Sequence, residues 1–212
     1  MKRAILIVFT FLLAAVLIAN RSESVFGADS SGYANLARML NRGETTLPRP
    51  APGQPPLGFV PLPNERMASF YPIGLPIHLA LFARIGGWAQ APWLVSPLAG
   101  VVLVLLTFWL GKRLHSELAG LAAALLMGFC AVFVFQALQP MSDVLTAMWS
   151  LAAMVAAVEG RQRPRFDVLA GFCFGVAVLV RPTSILLLVP LAIIQCRAWL
   201  QPASPGGGRA EA

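Results

Sequence analysis

The chain has 212 residues, 58% hydrophobic and only 12% charged, with a mean hydropathy of +0.73, whereas soluble domains carry roughly 25% charged residues. Such a composition describes an integral membrane protein and excludes a soluble catalytic or binding domain. The net charge of +7, from 16 Lys and Arg against 9 Asp and Glu, reports orientation and anionic lipid. No Lys/Arg run with interleaved aromatics suggests a nucleic-acid partner.

A bilayer core needs about 20 helical residues, fewer where the membrane thins. Apolar runs of that order occupy 4–19, 94–110, 118–135, 144–158 and 168–200. The last is too long for one crossing and contains RPTS at 181–184. Proline lacks a backbone donor and disfavours helix in the residue before it, so the run reads as two helices turning at Arg181-Pro182. The expected fold is therefore an all-α membrane domain over 1–200 with about six crossings, and a disordered tail at 201–212. The cysteines Cys130, Cys173 and Cys196 all lie in apolar runs and form no CxxC, so they read as small core residues.

MKR at the start, KRLHSE at 112–117 and EGRQRPRF at 159–166 fall on one side if the chain crosses at 4–19 and next at 94–110. The positive-inside rule places that side, and both termini, in the cytoplasm. The segment GLPIHLALFARIGGW at 74–88 is short and carries Pro76, His78 and Arg84. Were it to span, the RQRPR cluster would face outward, so it reads as an interfacial helix. MKR and the following run also fit a signal peptide cleaved at SVFGA/D, although about 16 apolar residues is rather long for its hydrophobic core.

Residues 20–93 form a long outer loop. Its start, DSSGYANLARMLNRG, has capping residues Asp29, Ser30 and Ser31, then Tyr33, Leu36 and Leu40 at helical spacing, and closes at Gly43. This predicts an amphipathic helix on the bilayer surface. LPRPAPGQPPLGFVPLPNER, dense in proline and glycine, predicts an extended linker or lid. FYPIGLPIHLALF then returns the chain to the membrane.

Read in order, D29-SSGY33-ANLA37, F70-YPIGLP76, W109-LGKRL114, P140-MSD143 and G171-FCFGVAVLVRPTS184 resemble a membrane glycosyltransferase pattern. The likeness is to the N-terminal half of the dolichyl-phosphate-mannose protein mannosyltransferase and aminoarabinose transferase superfamily, which has the GT-C fold. The resemblance covers nearly the whole chain to about residue 200. It implies a hexosyl or pentosyl transferase that takes sugar from a polyprenyl-phosphate carrier on the non-cytoplasmic face of a bacterial inner membrane. The acceptor is a hydroxyl of a glycan, lipid or protein. Family members usually have more than twice this length, so a truncated form, a fragment, or a half completed by a second subunit is expected. The stretch between Gly43 and Phe70 also looks longer than the usual spacing.

Glycosyl transfer from a lipid phosphate needs a proton acceptor, stabilisation of an oxocarbenium-like centre and a grip on the departing phosphate. The resemblance makes Asp29 the first-loop acid, beside its plain reading as a helix N-cap; the two roles do not exclude each other. Asp143 is implied as a second catalytic carboxylate, or again an N-cap with a favourable dipole. These two acids are too few for a metal site, and a divalent cation remains an open cofactor. Arg181 sits at the outer end of its helix, below the headgroups, where an arginine is costly unless it meets a cavity or an anion. A lipid-phosphate clamp supplies the anion, and snorkelling to headgroups is the alternative. Tyr33 and Tyr71 are the substrate-binding candidates within the matching segments, although belt anchoring is the default for them as for His78 and Trp88. The competing reading is a non-enzymatic membrane subunit, scaffold or small transporter. The near absence of polar residues within 94–110 and 118–135 counts against a translocation path.

Overall fold

The computed structural model describes residues 2–23, 25, 27–49, 58–160 and 163–200. The tail at 201–212, Ser24 and Phe26 of the proposed cleavage site, the proline-rich 50–57, and Arg161 with Gln162 lie outside them. In chain order the elements are α1 (Lys2–Ala19), α2 (Gly27–Asn41), β1 (Thr46–Pro48), β2 (Phe59–Pro61), β3 (Arg66–Ser69), α3 (Gly74–Gly86), α4 (Val95–Leu114), α5 (Glu117–Gly128), α6 (Ala131–Ala137), α7 (Ser142–Gly160), α8 (Arg165–Val180) and α9 (Leu188–Leu200). Short 3-10 segments at Ala91–Leu94 and Pro182–Leu187 lead into α4 and α9.

Among the described residues, three helices are long and apolar enough to cross a membrane: α1, α4 with its 3-10 lead-in, and α7; α5 and α6 make a fourth if the bent pair is one span. The predicted helix over 118–135 is thus two helices bent by 66°. Its apolar sequence carries no proline to mark the break. At the break Gly128 faces the Phe9 ring at a distance no Cβ would allow, and Phe129 packs on Phe9 with centroids 5.4 Å apart. The backbone stays paired through the bend, with Phe129 N–H donating to Leu125 O and Cys130 N–H to Met127 O.

The helices alternate between two ends of the bundle. At one, which we call the Arg113 end, Arg3 of α1 pairs with Glu117 of α5, and Arg113 of α4 pairs with Glu159 of α7. At the other, the Arg181 end, Ser22 N–H donates to Leu138 O, and Leu17 and Ala137 close over Gly100. Helix α8 stops at Val180, and Arg181 is extended at φ −147°, ψ 112° before Pro182. Gln195 of α9 then reaches back to Asp167 in the first turn of α8, at 2.7 Å. The turn at Arg181-Pro182 therefore stands. The two arms are short: 16 residues in α8 rise only about 24 Å.

The outer loop departs most from expectation. The apolar face of helix α2 packs on protein: Tyr33, Ala34, Leu36, Ala37 and Met39 are all buried. It runs in the same direction as α3: Tyr71, just before α3, meets Asp29 in the first turn of α2, and Arg84 near the end of α3 donates to Asn41 at 2.7 Å. The proline-rich stretch read as a linker contributes strands. β1, β3 and β2 form an antiparallel sheet in that spatial order, with Thr46 opposite Ala68 and Val60 opposite Ala68 on the other side. Pro48 and Pro61 end the two edge strands, where a missing N–H is tolerated. Phe59, Met67 and Leu47 of the sheet pack on Met39 of α2. The main core gathers Leu17, Leu75, Leu79, Val104, Leu145 and Val180.

Candidate functional site

All five residues singled out from the sequence fall in one connected run at the Arg181 end. Asp29 lies in the first turn of α2, which begins two residues earlier at Gly27, so it is not the N-cap. An acid in a first turn still favours the helix dipole. Its exposed Oδ1 accepts a 2.6 Å hydrogen bond from the Tyr71 hydroxyl. The Tyr71 ring lies 4.7 Å, centroid to centroid, from that of Tyr33, and the buried Tyr33 hydroxyl bonds Ser142 Oγ at 3.2 Å. Ser142 opens α7 and Asp143 follows in its first turn, so here too the acid is inside the helix rather than capping it. The Asp143 Oδ1 accepts a 2.6 Å bond from Arg181 Nη1. The Asp143 and Arg181 side chains keep 32% and 44% of their surface exposed, enough for both to meet a ligand.

The Tyr71 hydroxyl is pushed up to about 12, first by burial, then by its hydrogen bond to Asp29 and the charge of that carboxylate. It therefore stays a hydrogen-bond donor across the neutral and alkaline range. Its ring occupies a slot walled by Gly32 and Gly58: a Cβ on Gly58 would sit 2.8 Å from Tyr71 Cδ2, and one on Gly32 would overlap the ring edge. Gly58 also has φ +83°, a conformation suited to glycine. Below this run, Gly74 begins α3 directly against the backbone of Leu179 and Val180, leaving no room for a Cβ.

Ser142, Gly32 and Gly58 were missed from the sequence. The first two lie inside quoted segments, PMSD and DSSGY, beside residues that were chosen. His78 takes the packed role. Its Nε2 accepts from the Trp149 indole at 3.1 Å, which leaves Nδ1 to donate to Gly74 O at 2.8 Å. Trp88 is likewise engaged, under the Arg38 guanidinium.

For a divalent cation, several converging oxygens are required. Asp29 and Asp143 are each held by a protein donor, and no group of three or more His, Cys, Asp or Glu comes together among the described residues. The donor set does not fit such a site. A cavity of about 500 Å³ lies elsewhere, at the Arg113 end between α4, α7 and α8, well away from this run of polar groups.

A family model described as dolichyl-phosphate-mannose-protein mannosyltransferase matches residues 71–201. The matched stretch includes Tyr71, Asp143 and Arg181; Asp29 and Tyr33 precede it. No curated protein and no solved structure matches the chain.

Proposed function

Because the chain belongs to the dolichyl-phosphate-mannose-protein mannosyltransferase family and is a membrane glycosyltransferase by that membership, we propose that it transfers a sugar from a polyprenyl-phosphate carrier to an acceptor hydroxyl on the non-cytoplasmic face. The observation that carries this reading is the convergence of Asp29, Tyr71, Tyr33, Asp143 and Arg181 at one end of the bundle.

In this reading Asp29 is the general base. Tyr71 holds Oδ1, and Oδ2 takes the proton of the acceptor hydroxyl. As the bond between the anomeric carbon and the carrier's phosphate oxygen breaks, the acceptor oxygen bonds to that carbon. The electron pair leaves with the polyprenyl phosphate. Arg181 holds the departing phosphate through N–H groups not given to Asp143, as a planar fork suits. Asp143 orients the guanidinium and offsets the positive charge that develops on the sugar ring. Tyr33 orders the wall on which the sugar rests.

The same reading assigns six crossings to α1, α4, α5 with α6, α7, α8, and the 3-10 segment with α9. The α2, sheet and α3 assembly lies on the outer face, and the Arg113 end and N-terminus lie in the cytoplasm of a bacterial inner membrane. The test is transfer from a synthetic polyprenyl-phosphate sugar by protein in vesicles, with Asp29→Asn and Arg181→Ala as variants. Loss of a general base lowers turnover by about a hundredfold or more. Equal turnover in all three proteins, each melting like the parent, would overturn the assignments.

A further inference from the structure

At the Arg113 end, α4 and α8 each pack on α7 and leave a groove between them. Its floor is small, Ala152, Val155 and Ala156; its apolar walls include Leu106, Leu169 and Phe166. Its mouth carries Trp109, Arg113, Glu159 and Arg163. From Arg113 to Leu106, and from Phe166 to Cys173, the lining descends seven residues, about 10 Å at helical rise. The bilayer core is about 30 Å thick, so the groove reaches through most of one leaflet. Its volume of about 500 Å³ falls among ligand-sized cavities of ~300–1,000 Å³.

The mouth is positively charged. The Arg113 guanidinium grips both Glu159 oxygens, and Trp109 donates to the same carboxylate. That acid is therefore neutralised, and Arg163 remains on the rim. A second cavity of about 410 Å³ shares Trp109 and Arg113 and adds Lys112. Arg165 stacks 5.6 Å from the centroid of Phe166, and Asp167, the other nearby acid, lies against Gly160 and Gln195. Among the described residues lining the two cavities, three cations, Lys112, Arg113 and Arg163, thus face one carboxylate, Glu159.

An apolar channel about 10 Å deep under a cationic mouth is complementary to an anionic amphiphile. We infer that this groove holds an anionic phospholipid of the membrane, its phosphate on Arg163 and Lys112 and an acyl chain along Leu106, Val155 and Leu169. The site is separate from the transfer site at the Arg181 end and does not depend on its assignment.

Trp109, which lines both cavities and is 52% exposed, provides the readout. The full chain is reconstituted in phosphatidylcholine vesicles doped with phosphatidylglycerol or phosphatidylcholine brominated at mid-chain, at equal mole fraction. The fluorescence component lost in Trp109→Phe is followed. The brominated anionic lipid is expected to quench it more strongly than the neutral one, with an apparent affinity higher by on the order of fivefold for each cation engaged. The double variant Lys112→Gln/Arg163→Gln should bring the two lipids level while leaving its far-ultraviolet spectrum unchanged. Equal quenching by both lipids in the parent, or a preference that survives the double variant, would overturn the inference.

Discussion

The slot around Tyr71 offers a sharp test of how Asp29 is held. In Gly32→Ala the new methyl overlaps the ring edge, and the ring cannot retreat because a Cβ-sized gap does not exist on the Gly58 side either. Non-bonded carbons prefer about 3.5–4.0 Å, and the added carbon would lie 3.1 Å from even Cζ, the most distant of the three ring atoms it meets. Overpacking of this kind costs about 1–3 kcal/mol. If the ring swings out to relieve it, the bond to the Asp29 carboxylate goes too, and hydrogen bonds to charged groups are worth about 1.5–3 kcal/mol. Removing the ring removes the conflict, so in a Tyr71→Ala background Gly32→Ala should stabilise by about 0.5–1 kcal/mol, the preference for alanine inside a helix, and the coupling should exceed the loss seen in the single variant. The cycle is measured by unfolding in detergent and, in parallel, by transfer rate. Additive effects of the two substitutions would show that the ring and Gly32 do not share the slot, and the account of Asp29 positioning would fail with it.

The chain has two tyrosines, so Tyr33→Phe leaves Tyr71 alone in an ultraviolet titration. Its folded value is raised from 10.0 to about 12, so the stabilisation is fully present below about pH 10 and is lost as pH climbs through about 12. Asp29→Asn should bring the midpoint partway back toward 10 and not all the way, because burial is the largest cause; an unmoved midpoint would refute the contact. At the other end, Arg113→Ala should lower the apparent melting temperature more than Glu159→Ala. The first strands a carboxylate that is 11% exposed, whereas the second leaves an arginine that is 40% exposed and able to reach water. The reverse order would mean that the unpaired guanidinium is the costlier orphan and that the carboxylate finds water once Arg113 is gone.

What could be read in advance follows from which forces are local. Apolar length announces α1, α4 and α7 because bilayer thickness imposes it, and Pro182 announces the turn because it withdraws a backbone donor. The bend after Gly128 carries no proline, and the ring packed against it, Phe9, lies more than a hundred residues away in the chain. The sheet was hidden because its strands are three or four residues long, too short for alternation to show against the prolines around them. Candidate residues were legible through the resemblance, but their partnerships were not. Nothing near Asp29 in the chain points to Tyr71, 42 positions on, nor does anything near Tyr33 point to Ser142. The N-cap readings of Asp29 and Asp143 failed by one or two residues, since Gly27 and Ser142 each start a helix earlier than the polar residues suggest.

Gly74 touches the main chain of Leu179 and Val180, so two stretches about a hundred residues apart meet backbone to backbone at a single pivot. Tyr71 stands three residues before that pivot on one arm, and Arg181 one residue after it on the other. The two tips are gauged from a common joint like the jaws of a calliper, and the spacing of their main chains is set where the two backbones touch. A substitution at 74 would therefore alter the opening of the jaws while leaving both tips chemically intact.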